Sequence, residues 1–177
     1  NTILNSIKAE ELESSKIGKL MRNDPEDTLN TAKVGDYQFS IPASWKLFSK
    51  ASQGSSYTNV SYVNTYTTSG IIYASMTGSD FKQTNLSTVA NSYSKSITQD
   101  DEHEMFKKVE YTSINGKRYA YFTYTTTSKA DNKSYGTVYM TCDNGTAHIF
   151  TLIQNEVFYG SAEIDDFIDI VNSFQSK

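Results

Sequence analysis

An α+β sandwich, with helices packed on a largely antiparallel sheet, is the fold class this sequence predicts. Three observations lead there. Runs in which Tyr, Phe, Ile and Val alternate with Thr and Ser recur along the chain, the pattern of half-buried strands. Two turns between such runs contain Asn-Gly, at Asn115-Gly116 and Asn144-Gly145, the strongest short-range hairpin signal. Only two clear helical periods occur, and they do not alternate one for one with strands, which argues against a doubly wound parallel sheet.

The elements follow in order. Residues 1–34 hold Glu10, Glu11, Glu13, Lys16 and Lys19, no aromatic residue and a broken helical period. They read as a tether or as short helices, with Asp24-Pro25 a candidate helix start. The domain proper is placed at 35–177. Tyr37, Phe39 and Ile41 alternate with polar residues and stop at Pro42, a strand ending in a turn. Trp45 then falls on a loop at the edge of the core. Two strand-like runs, 61–66 and 71–77, flank a Thr-Thr-Ser-Gly turn. Leu86, Val89, Ala90, Tyr93 and Ile97 lie on one helical face, with Asn85 as cap. Hairpins follow at 105–114 with 117–127, and at 135–142 with 146–154. A last helix spans 162–175, its stripe formed by Ile164, Phe167, Ile168 and Val171. Ser161 caps it, and Glu163, Asp165 and Asp166 complement its dipole. The expected core is Phe39, Ile41, Val109, Phe122, Val138, Met140, Ile149, Phe167, Ile168 and Val171.

Composition excludes several function classes. The 177 residues carry a net charge of −4, so no basic field attracts nucleic acid. One Cys rules out an internal disulfide framework and a Cys-rich zinc module. No apolar run approaches the ~20 residues of a membrane-spanning helix. Ser, Thr and Asn make up roughly a third of the chain and only 20% is charged, a texture closer to exported proteins of Gram-positive bacteria than to cytosolic enzymes. The expected location is therefore extracytoplasmic, at the cell surface or secreted, with residues 1–34 tethering the domain to an N-terminal anchor.

Tyr37-Gln38-Phe39-Ser40-Ile41-Pro42 followed by Trp45 resembles the PsbP-like superfamily, where an aromatic-x-aromatic-x-aliphatic-Pro strand leads into a Trp. The middle helix at 86–97, the Ile114-Asn115-Gly116 turn before Tyr119-Ala120-Tyr121, and the terminal amphipathic helix extend the likeness over residues 35–177. The resemblance implies an α/β/α sandwich and a binding or accessory role. It supplies no catalytic residue.

The candidate chemistry is sparse. His103, within Asp100-Asp101-Glu102-His103-Glu104, lacks the second His of a zinc-protease helix, and the run reads as a solvated acidic turn. No metal or cofactor is expected. There is no Gly-x-Ser-x-Gly, phosphate-binding loop or dinucleotide fingerprint. Cys142 and His148 form the one alternative, a thiol-dependent hydrolase, and its geometry depends on the hairpin turn. A two-residue Asn144-Gly145 turn sets them on opposite faces; a three-residue Asp143-Asn144-Gly145 loop sets them on one. For the first hairpin, a two-residue turn places Val109, Tyr111, Ala120, Phe122 and Tyr124 on the core face. It leaves Glu110, Thr112, Tyr119, Tyr121 and Thr123 on the other. That face reads either as the second, helix-covered face of the sheet with its hydroxyls at the rim, or as a ligand platform. On the second reading Trp45, Glu110, Tyr119 and Tyr121 are the candidate binding residues, for a cell-envelope protein or glycan partner.

Overall fold

The computed structural model describes residues 28–53, 56–99, 102–128, 132–161 and 163–176. Strands β1 (Leu29–Val34), β2 (Tyr37–Pro42), β3 (Trp45–Gln53), β4 (Tyr57–Asn64) and β5 (Gly70–Thr77) precede helix α1 (Leu86–Ile97). Then come β6 (His103–Ile114), β7 (Lys117–Thr127), β8 (Lys133–Asp143), β9 (Thr146–Asn155), helix α2 (Glu163–Asn172) and the short β10 (Gln175–Ser176). A seven-stranded sheet runs β3-β4-β5-β9-β8-β7-β6, and a three-stranded sheet runs β1-β2-β10. Every pairing is antiparallel. The expected α+β sandwich is the observed architecture.

Asn115 and Gly116 both have positive φ (50° and 76°), as do Asn144 and Gly145 (48° and 80°). Two left-handed residues in succession make the tight turn that matches strand twist. The pairs Ile114 with Lys117 and Asp143 with Thr146 follow, so both loops have two residues.

Each face of the large sheet has its own core. On one face Leu86 and Ala90 of α1 pack with Phe122, Val138, Met140, Cys142 and Ile149. On the other, Phe167, Ile170 and Val171 of α2, together with Phe39 and Ile41 of the small sheet, pack on Tyr73, Phe150 and Leu152. Burial of apolar side chains on both faces is what holds the layers together. The sheet's edges, β3 and β6, are both broken by bulges, between Leu47 and Ser49 and between Met105 and Glu110. Both also carry exposed lysines, Lys46 and Lys50 on one, Lys107 and Lys108 on the other. Bulges and charges of this kind discourage edge-to-edge association.

Several expectations are corrected. Leu29–Val34 is a strand paired along its length with β2, so folded structure begins ahead of residue 35; residues 1–27, including the Asp24-Pro25 helix start, lie outside the described residues. Trp45 opens strand β3 rather than occupying a loop. The 3-10 turn Gln83–Asn85 precedes α1, and Asn85 makes no side-chain cap bond; its amide donates to the Asp80 carbonyl instead (3.0 Å). Val109 and Ile168 are only half-buried, and Tyr111 is exposed. On α2 the buried face is Glu163, Asp166, Phe167, Ile170 and Val171, turned away from the expected stripe. The cause is polar: the buried Glu163 carboxylate accepts hydrogen bonds from the Thr67 hydroxyl, the Ser69 hydroxyl (2.7 Å) and the Gln154 amide (2.9 Å). Three donors satisfy a carboxylate that would otherwise be costly to bury. The expected Ser161 cap is present, its hydroxyl oxygen accepting the Glu163 N–H at 3.4 Å.

Candidate functional site

The row of residues that crosses the sheet beneath α2 positions the site. Val60, Tyr73, Phe150, Tyr139, Tyr121 and Glu110 lie directly opposite one another on β4, β5, β9, β8, β7 and β6. Directly opposed residues share a face. The row therefore begins in the core and ends in solvent at Glu110, beyond the reach of the helix. There the Tyr121 and Tyr139 rings stack, with centroids 5.3 Å apart and planes 14° apart. The Tyr121 hydroxyl donates to a Glu110 carboxylate oxygen. That hydrogen bond is the first cause raising the Tyr121 pKa, so the phenol stays neutral at physiological pH. Phe167 of α2 meets Tyr139 edge-on at 5.8 Å, fixing the inner ring of the platform from the helix side.

Four candidate residues thus divide two and two. Glu110 is exposed and Tyr121 half-buried, and the structure brings them together. Tyr119 and Trp45 are each only 2% exposed and belong to the core under α2. Burial pushes the Tyr119 pKa up to about 12. Neither can meet a partner without unfolding its surroundings. Tyr139 was missed by sequence reasoning, although the Tyr135–Cys142 run contained the signal: with the register known, it stands opposite Tyr121.

Cys142 and His148 do not form a dyad. The two-residue turn pairs Cys142 with Ala147 and Thr141 with His148, so the thiol and the imidazole point to opposite sides of the sheet. Cys142 is fully buried beneath α1, and burial raises its pKa to about 11. A thiol so placed is overwhelmingly protonated at neutral pH and shielded from reagent. The native protein should resist alkylation by iodoacetamide at neutral pH and react fully once denatured, as mass spectrometry of the intact chain would show. His148 sits in an aromatic box. Its Nδ1 is 3.0 Å from the Tyr73 hydroxyl, and its ring lies 4.4 Å from Tyr37 and 4.8 Å from Phe174. Its Nε2 is buried without a partner among the described residues.

His103 opens β6, with its ring 5.7 Å from Tyr124, and Asp100 and Asp101 lie outside the described residues. Among the described residues no three His, Cys, Asp or Glu groups are placed to hold one metal ion. No helix among them is long and apolar enough to cross a membrane.

No protein-family model matches the chain, and no curated protein matches it. Solved structures do. Cyanobacterial PsbP from Synechocystis is 18% identical, with a TM-score of 0.65 over 85% of this chain and 94% of that one. A Pseudomonas aeruginosa protein of unknown function is 10% identical, with a TM-score of 0.52 over 84% of this chain and 97% of its own. A Bacteroides thetaiotaomicron protein is 10% identical, with a TM-score of 0.54; the match covers 80% of this chain and only 45% of that longer one. At these identities the likeness concerns backbone architecture alone. From its paired sheets, helices α1 and α2 and its overlap with cyanobacterial PsbP, the chain has a PsbP-like fold.

Proposed function

We propose that this domain is a non-enzymatic binding or accessory module acting outside the cytoplasm, and that it takes a glycan on the Tyr121–Tyr139–Glu110 surface. The observation that carries the reading is the stacked tyrosine pair held against a carboxylate at the open end of the sheet. Aromatic rings give a flat apolar surface for the C–H face of a sugar, and a carboxylate accepts its hydroxyls. The separation of Cys142 from His148 supports a module without thiol chemistry. The Ser-, Thr- and Asn-rich composition and the likeness to PsbP-like domains support an extracytoplasmic setting.

The test is binding of purified cell-wall glycans, measured by calorimetry. Tyr121→Ala and Glu110→Gln should each weaken binding by at least about tenfold, which is about 1.4 kcal/mol, while the melting temperature stays within a few degrees. Full affinity in both variants would move the partner elsewhere on the molecule. A full-length precursor without a hydrophobic export signal would remove the location.

A further inference from the structure

The opposite face of the large sheet carries a groove of about 390 Å³, within the range of roughly 300–1,000 Å³ usual for small-molecule sites. Its origin is topological. Helix α1 links β5, in the middle of the sheet, to β6 at its far edge, and packs over β6, β7 and β8. The groove opens between the helix's C-terminal half and strands β4, β5 and β9. Ile72, Ala74 and Ile149 form an apolar floor, and the register sets Asn59, Ala74 and Ile149 in one row. Tyr57 on β4, Tyr93 and Ile97 on α1 and Tyr124 on β7 form the walls. The Asn59 amide donates to the Tyr57 hydroxyl at 3.1 Å, which orients both polar groups at the rim.

Among the described residues the lining contains Ser96, Thr151 and His103 but no Asp, Glu, Lys or Arg. Burial raises the pKa of Tyr93, and that of Tyr124 to about 12, so both phenols are neutral at physiological pH. A charged ligand entering here would shed water without meeting a Lys, Arg, Asp or Glu side chain among those residues, which is unfavourable. An apolar ring would instead gain the floor and the tyrosine faces, and a hydroxyl or amide on its edge would meet Asn59, Ser96 and Thr151.

We propose that this groove binds a small uncharged ligand built on an apolar ring with a polar edge. It lies on the face opposite the Tyr121–Tyr139 platform and is independent of the glycan reading.

Fluorescence titration with N-phenyl-1-naphthylamine, an uncharged ring probe, tests it directly. The expected result is saturable binding at one site. The sulfonated analogue 1-anilinonaphthalene-8-sulfonate should bind at least about tenfold more weakly, because the described lining offers no Lys or Arg to meet its charge. Ala74→Trp fills the floor and should abolish binding; Ser96→Trp, on the exposed side of α1, should weaken it at least about tenfold by blocking the mouth. Tyr121→Ala on the other face should leave binding unchanged. If Ala74→Trp fails to fold, Ser96→Trp decides alone. The proposal is overturned if the folded wild type shows no saturable binding of the uncharged probe, or if the sulfonate binds equally well. Wild-type affinity in a Ser96→Trp variant of unchanged melting temperature overturns it too.

Discussion

Truncating Phe167 or Phe122 to Ala should cost about 3–5 kcal/mol of stability in either case. Both rings are fully buried, but in separate cores. Phe167 anchors α2 against Tyr139 at 5.8 Å, and Phe122 meets Tyr93 of α1 at 6.3 Å. Removing either ring forfeits its transfer free energy and leaves a cavity that the close-packed sheet fills only in part. Because total stability in a domain of this size is about 5–15 kcal/mol, each loss is a large fraction of the whole. Urea denaturation of the two variants provides the measurement. A change below about 1 kcal/mol at both positions would show that neither helix depends on its ring, contrary to the packing described.

Acidification should destabilise the fold by about 3 kcal/mol through His148 alone. An unfolded chain's imidazole titrates near its ordinary value of 6.5. In the fold, burial lowers the His148 pKa to about 4, with the Lys117 ammonium adding to the effect and the Asp143 carboxylate opposing it. Tyr73 meets its Nδ1, and Tyr37 and Phe174 close the rest of the box. Since the folded value is depressed, the unfolded chain binds the proton more readily. Stability is therefore complete above about pH 6.5 and is lost as pH falls toward 4. The gap between 6.5 and about 4 corresponds to about 3 kcal/mol. Urea midpoints for wild type and His148→Gln at about pH 7, 5.5 and 4.5 check this, because carboxylate titration is common to both proteins and cancels. Parallel loss in the two proteins would assign the acid sensitivity to other groups.

The platform was only half legible in the sequence. Glu110 and Tyr121 were paired correctly because Asn115-Gly116 fixes the register of β6 on β7, and every cross-strand neighbour near the turn follows by counting. Tyr119 counts onto the same face, yet lies two residues nearer the turn, where α2 and the small sheet close over it. Trp45 was misplaced for a related reason. Strand β3 is a bulged edge whose Leu47 and Phe48 are both exposed, so no alternation marked Trp45 as the start of a strand.

What the sequence determined by itself was local: the strands with a clean two-residue period, the two Asn-Gly turns, the helix at 86–97 and the presence of a terminal helix. Turn chemistry and side-chain period act over a few residues, and they are written where they act. The tertiary structure decided what depends on distant partners. The rotation of α2 rests on Thr67 and Ser69, which lie 94 or more positions from Glu163. The small sheet pairs β10 with β2, from opposite ends of the described residues. Which tyrosines face solvent depends on where the helices stop. An amphipathic pattern states that a face will be covered, but the extent of the cover is set by helix length and crossing over a sheet whose strand order no local period encodes.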